Sequence, residues 1–117
     1  MDVHMRPADG FLPLPNLHFH VLLALRDGAS HGWAIIKRIQ ELTEGESDPS
    51  TGTLYMTLMR LEDQGLIAQT EGPADADARR RYYRLTDLGL ETAQAEAARL
   101  SRLVRHARAA DLLPGRR

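Results

Sequence analysis

Apolar residues recur at intervals of three and four along most of the chain, and short runs of strand composition interrupt them only between residues 66 and 85. Leu17, Val21, Leu22 and Leu25 predict a first helix, capped by Asn16 and stopped near Gly28. Ser30 is placed to cap a second, in which Trp33, Ile35, Ile36, Ile39 and Leu42 form an apolar stripe, Lys37, Arg38 and Glu41 face water, and Gly45 ends the run. After the Asp48-Pro49-Ser50 turn, Leu54, Leu58 and Leu61 bury one side of a third helix. Thr51, Gly52, Tyr55, Met56, Met59 and Arg60 lie on its other side, and Gly65 supplies the stop. Residues 66–70 and 81–85 read as strands joined by a solvated loop at 72–77. Thr86 then caps a long last helix.

Three helices, a hairpin and a final helix make an α+β, mainly α chain with the layout of a winged helix-turn-helix. The divisions expected are a flexible N-terminal arm at 1–15, punctuated by Pro7, Gly10, Pro13 and Pro15, the winged unit at 16–86, a dimerisation helix at 87–110, and a flexible tail at 111–117. In the last helix Leu90, Ala93, Ala97, Leu100, Val104 and Ala107 repeat at helical spacing after the winged unit is complete, a seam that asks for a second copy. Arg99, Arg102, Arg105 and Arg108 would flank it and pair with Glu91 and Glu96.

At 117 residues and 43% hydrophobic content, one modest core is expected. Fifteen basic against 16 acidic residues give a net charge of −1, so anion binding must come from local clustering. The clustering is pronounced. Residues 41–77 hold nine acids and only Arg60 as a base, whereas 79–117 hold ten arginines against Asp87, Glu91, Glu96 and Asp111. The absence of cysteine excludes disulfides, thiolate metal sites and thiol catalysis, and suits a reducing cytoplasm. Residues 1–15 lack a signal-peptide pattern, and the longest apolar run, 21–25, is far short of the roughly 18 residues of a membrane span.

The residue pattern best suited to chemistry is one for gripping a duplex. A helix entering the major groove needs short side chains at its leading end, and Ser50, Thr51, Gly52 and Thr53 provide them. The free amides and positive dipole of that helix start favour phosphate. Tyr55 and Arg60 extend the face, Arg79, Arg80 and Arg81 sit where the hairpin returns, and Lys37 can touch the DNA backbone from the second helix. Strand alternation would send Arg79 and Arg81 to one face and Arg80 to the other. His18 and His20 straddle Phe19 without a third ligand nearby, so no metal site is expected, and no cofactor. His31 reads as a helix-start residue rather than a catalytic base, and Trp33 as core.

Several blocks in this order resemble the PadR family of bacterial transcriptional regulators, in its short form: Leu22-Leu23-Ala24-Leu25, His31-Gly32-Trp33-Ala34-Ile35, Gly52-Thr53-Leu54-Tyr55, Leu61-Glu62-Asp63-Gln64-Gly65-Leu66-Ile67 and Arg80-Arg81-Tyr82-Tyr83-Arg84-Leu85-Thr86-Asp87-Leu88-Gly89. The resemblance implies a non-enzymatic, cytoplasmic homodimer whose two recognition helices enter successive major grooves of a palindromic operator, usually to repress a nearby gene. Carried over by position, it puts Ser50, Thr51, Thr53, Tyr55 and Arg60 on the recognition helix and Arg79, Arg80 and Arg81 on the wing return. The tryptophan that builds the drug pocket on the last helix of multidrug-sensing members is missing here. Two other readings stay open. One is a winged-helix module for a protein partner, with the acids at 41–48 and Glu62-Asp63 repelling DNA; the other is a sensor binding a small-molecule effector in an apolar dimer cleft near Phe19, Trp33 and the last helix.

Overall fold

The computed structural model describes residues 6–114, so the expectations for residues 1–5 and 115–117 lie outside the described residues. A 3-10 turn (Pro7–Phe11) leads into α1 (Asn16–Ala24), β1 (Ser30–His31), α2 (Gly32–Leu42), α3 (Thr51–Asp63), β2 (Ile67–Thr70), β3 (Tyr82–Leu85) and α4 (Asp87–Ala109). The chain thus adopts the expected mainly helical winged helix-turn-helix. Val21, Leu22 and Leu25 meet Ile35 and Ile39 of α2, Leu54, Leu58 and Leu61 of α3, and Leu66, Ile67 and Tyr83 of the hairpin in one core.

The sheet has the order β1-β3-β2, antiparallel throughout. Tyr82 is its pivot, opposite Thr70 on one side and His31 on the other. That third strand was not legible in the sequence, and it displaces the expected cap of α2. Because Ser30 is extended and paired with Tyr83, the helix starts one residue later, and the His31 side chain takes the capping role by accepting from the Ala34 amide at 3.4 Å. Asn16 is likewise the first residue of α1 rather than its cap; Pro15 holds the cap position, with no side-chain cap bond. Both hairpin strands begin one residue later than expected, which leaves Arg79, Arg80 and Arg81 in the loop and removes the alternation argument for them.

Two expectations about α2 are corrected. Gly32, Ile35 and Ile39 are its buried residues, three and four apart. Trp33 stands two positions before Ile35, about 200° round the helix, and is 63% exposed instead of in the core. Leu42, expected on the same stripe, is exposed as well. In α3 the phase is as expected, and Gly65 at φ +79° reverses the chain so that the Leu66 amide can return to the Leu61 carbonyl. Thr86 joins this turn to α4: its hydroxyl donates to the Gly65 carbonyl at 2.6 Å and accepts from the Gly89 amide at 3.0 Å.

The segment before α1 is not a free arm over its described part. Ala8 and Leu14 are buried, the 3-10 turn packs against α4, and the Leu14 amide donates to Glu96 at 3.2 Å. Glu96 is 2% exposed, and Arg99 closes over it with two bonds of 2.6 and 2.9 Å. The Arg99 hydrogen bonds, assisted by the Leu14 amide and opposed by burial, hold this carboxyl below the usual glutamate range. A depressed folded value stabilises the protein above the unfolded value of about 4.3, and that contribution is lost as pH falls through the folded value. Glu96→Ala is therefore expected to flatten the acid limb of the stability profile. At neutral pH it should cost at least the roughly 1–3 kcal/mol of an orphaned buried amide. Urea titrations of both proteins between neutral pH and pH ~3 check both effects.

Candidate nucleic-acid interface

α3 owes its start to Ser50, whose hydroxyl oxygen accepts from the Thr53 amide at 3.1 Å and whose proton goes to Thr53 Oγ1 at 3.0 Å. With Leu54, Thr57, Leu58 and Leu61 buried, helical phase at about 100° per residue turns Gly52, Met56, Met59 and Asp63 directly outward. Met56 and Met59 are 74% and 63% exposed. The first amides of any helix lack partners within it, so Thr51 and Gly52 present donors as well as small side chains.

The two flanks of this stripe differ. Towards the wing, Tyr55 lies with its hydroxyl over Gly32, where a Cβ would come within 2.6 Å of it and push the ring aside. Tyr55 then shares one hollow with His31, Trp33, Arg79, Arg80 and Arg81. The arginines are unequal. Arg79 is paired with Asp77, its amide at 2.9 Å and its guanidinium at 3.3 Å, though its side chain stays open to solvent. Arg80 reaches His31 Nε2 at 3.3 Å, and Arg81 lies beside the Tyr83 hydroxyl, whose ionisation burial and Glu62 both push upward. Burial and the neighbouring Arg80 lower the His31 pKa, which favours the neutral ring, the form able to cap α2. Lys37 places its ammonium 5.0 Å from the Trp33 ring centroid, while Arg38 is drawn to Asp27 and Glu41 at 3.5 and 3.6 Å. Of the two α2 cations, Lys37 is the one beside this surface.

On the far flank Thr53 and Arg60 gather with His18, Met56 and Met59. Burial and Arg60 depress the His18 pKa. Acidic Glu62 and Asp63 close the C-terminal end of α3, and Glu62 is tied to Gln69 of β2 at 3.2 Å. Of the sequence-predicted residues, Tyr55, Arg79, Arg80 and Arg81 line one hollow and Thr51 lies one helical turn before Tyr55, while Ser50 is bonded to Thr53, which with Arg60 lines the opposite flank. Trp33 and His31 were missed as part of this surface. The helical offset of Trp33 from Ile35 was the available signal for the first; for His31 only the unforeseen β1 pairing reveals it.

Among the described residues no helix is long and apolar enough to cross a membrane, and no cluster of three or more histidine, aspartate or glutamate side chains could hold a metal. The seam residues divide by depth. Leu90 and Ala93 are half-buried against their own domain, whereas Ala97 and Val104 are exposed and Leu100 and Ala107 half-exposed on the part of α4 that leaves it.

Fold and surface together define a winged helix-turn-helix of the kind found in transcriptional regulators. The chain belongs to the PadR-like family of transcriptional regulators, whose model matches residues 21–95. Members of that family are regulators, not enzymes. The transcriptional regulator Rv3488 of Mycobacterium tuberculosis is 36% identical over 90 residues, covering 76% of this chain and 79% of that protein. A transcriptional regulator from Clostridium thermocellum has the same fold, with a TM-score of 0.68 at 24% identity over 92% of this chain and 97% of that one. Bacillus subtilis PadR, solved in complex with operator DNA, aligns with a TM-score of 0.60 at 23% identity, covering 69% of this chain and 46% of that one. Two other curated relatives are much longer, and the chain spans 22% and 27% of their length.

Proposed function

We propose that two copies of this chain pair through α4 and bind a palindromic double-stranded operator, each inserting α3 into the major groove, to repress transcription. The observation that carries the reading is that Tyr55 of α3 lines one hollow with Arg80 and Arg81 of the wing return, one helical turn after the small, hydroxyl-bearing start of the same helix. That arrangement suits close approach by α3 and phosphate contact by the wing. The operator complex of the Bacillus subtilis relative supports DNA as the partner.

For the dimer, support comes from the free half of α4, where Leu103 and Val104 are exposed and Leu100 half-exposed in a single copy. A lone helix seldom keeps such a row wet, whereas a second copy would cover it.

The test is the salt dependence of binding. Each phosphate contact contributes about 0.9 to the slope of log affinity against log salt, so removing Arg80 and Arg81 together should weaken binding and flatten the slope by up to about 2 per protomer. Fluorescence anisotropy with a labelled duplex from the region upstream of the gene reads this directly. An unchanged slope would remove the wing from the interface.

A further inference from the structure

The outward stripe of α3 carries no side chain able to make the paired hydrogen bonds by which regulators commonly read guanine or adenine. Arginine, lysine, asparagine and glutamine are all absent from its first two turns, and the residue that projects furthest there is Met56. Gly52, one turn earlier on the same line, has open space around it and lets the helix axis approach a partner closely. We infer that Met56 is a specificity-determining residue that reads the C5-methyl group of thymine in the major groove, and that the operator half-site carries an obligatory thymine beneath it. The inference rests on the proposed DNA-binding function and adds to it the base and the atom being recognised.

Three features support this choice of occupant. Met56 is unbranched, polarisable and largely exposed, so it can follow a methyl group without strain, and its thioether is too weak an acceptor to favour another base edge. It lies between two polar flanks, Tyr55 with Arg80 and Arg81 on one side and Thr53 with Arg60 on the other. A phosphate backbone gripped on both flanks would centre the groove floor on Met56. Finally, Glu62 and Asp63 end the helix in negative charge, so base contact must come from its early turns rather than from Met59 further along.

The prediction is a dependence on a single methyl group. Removing one buried methyl from an interface weakens binding about fourfold, and about fifteenfold when both half-sites of a palindrome lose it. High-affinity duplexes are first selected from a randomised library with the full chain. They are then remade with uracil for thymine, one symmetric pair of positions at a time, and binding is measured by anisotropy. Wild-type protein should lose roughly this factor at one pair of positions and little elsewhere. Met56→Ala, at a site too exposed to affect folding, should bind the thymine duplex more weakly and no longer distinguish it from the uracil duplex. Uniform tolerance of uracil, or discrimination that survives in Met56→Ala, overturns the assignment while leaving DNA binding in place. Failure of the wild-type chain to enrich any duplex at low salt overturns the assignment together with the function on which it rests.

Discussion

Adding one methyl group at Gly89 is expected to lower the melting temperature by about 10 °C. Gly89 is buried in the first turn of α4, and a Cβ there would overlap the Leu66 carbonyl oxygen and come within 2.9 Å of the Leu66 carbonyl carbon. The obstacle is backbone, at the turn where Thr86 joins α3 to α4, so it cannot swing aside as a side-chain end could. Overpacking of this kind costs up to about 3 kcal/mol. Alanine regains roughly 1 kcal/mol of that through its better helix propensity. The net loss of about 2 kcal/mol corresponds to some 10 °C in a domain of this size. Gly52, also in a first helical turn, has nothing within 4 Å, and Gly52→Ala should leave thermal stability unchanged or slightly raised. Differential scanning calorimetry of the two variants separates the steric cost from the intrinsic one, and equal melting temperatures would contradict the packing described at the α3–α4 junction.

The second large effect concerns assembly. Replacing Leu100 and Val104 by glutamate should convert a dimer into a folded monomer, because both side chains lie on the half of α4 that leaves its own domain. The circular dichroism spectrum should be preserved. Linking two half-site contacts in one particle raises overall affinity by about 10²–10⁴ over a single contact, so the monomer should bind the same duplex at least about a hundredfold more weakly. Half-site binding and its salt sensitivity should survive, since the α3 and wing surface of each copy is untouched.

Most of the helical framework was legible because a buried stripe leaves a periodic record: Leu54, Leu58 and Leu61 give both the limits and the phase of α3, and the caps at Ser50 and Thr86 follow from hydroxyls placed before it and before α4. The strand at Ser30 and His31 was not legible, since two residues carry no period and their pairing with Tyr82 and Tyr83 is set by contacts some fifty residues away. Trp33 is misplaced when it is counted into the apolar stripe of α2, because its angle from Ile35 puts it outside. The candidate surface was legible as a list of residues but not as a geometry. Nothing in the order Arg79, Arg80, Arg81 distinguishes an arginine paired with Asp77 from one resting on His31, because the loop conformation decides which carboxylate is in reach. The docking of Leu14 on Glu96 was hidden for the same reason: 82 residues separate an amide from its acceptor.

In the proposed function, paired α3 helices brought together by α4 grip one duplex through charge and close approach. Sedimentation velocity of the full chain with a selected duplex, repeated across a series of salt concentrations, tests it most directly. The expected result is a dimer in the absence of DNA and a complex of two chains per duplex that dissociates steeply as salt rises. A stable monomer whose sedimentation no duplex alters at any ionic strength would contradict it.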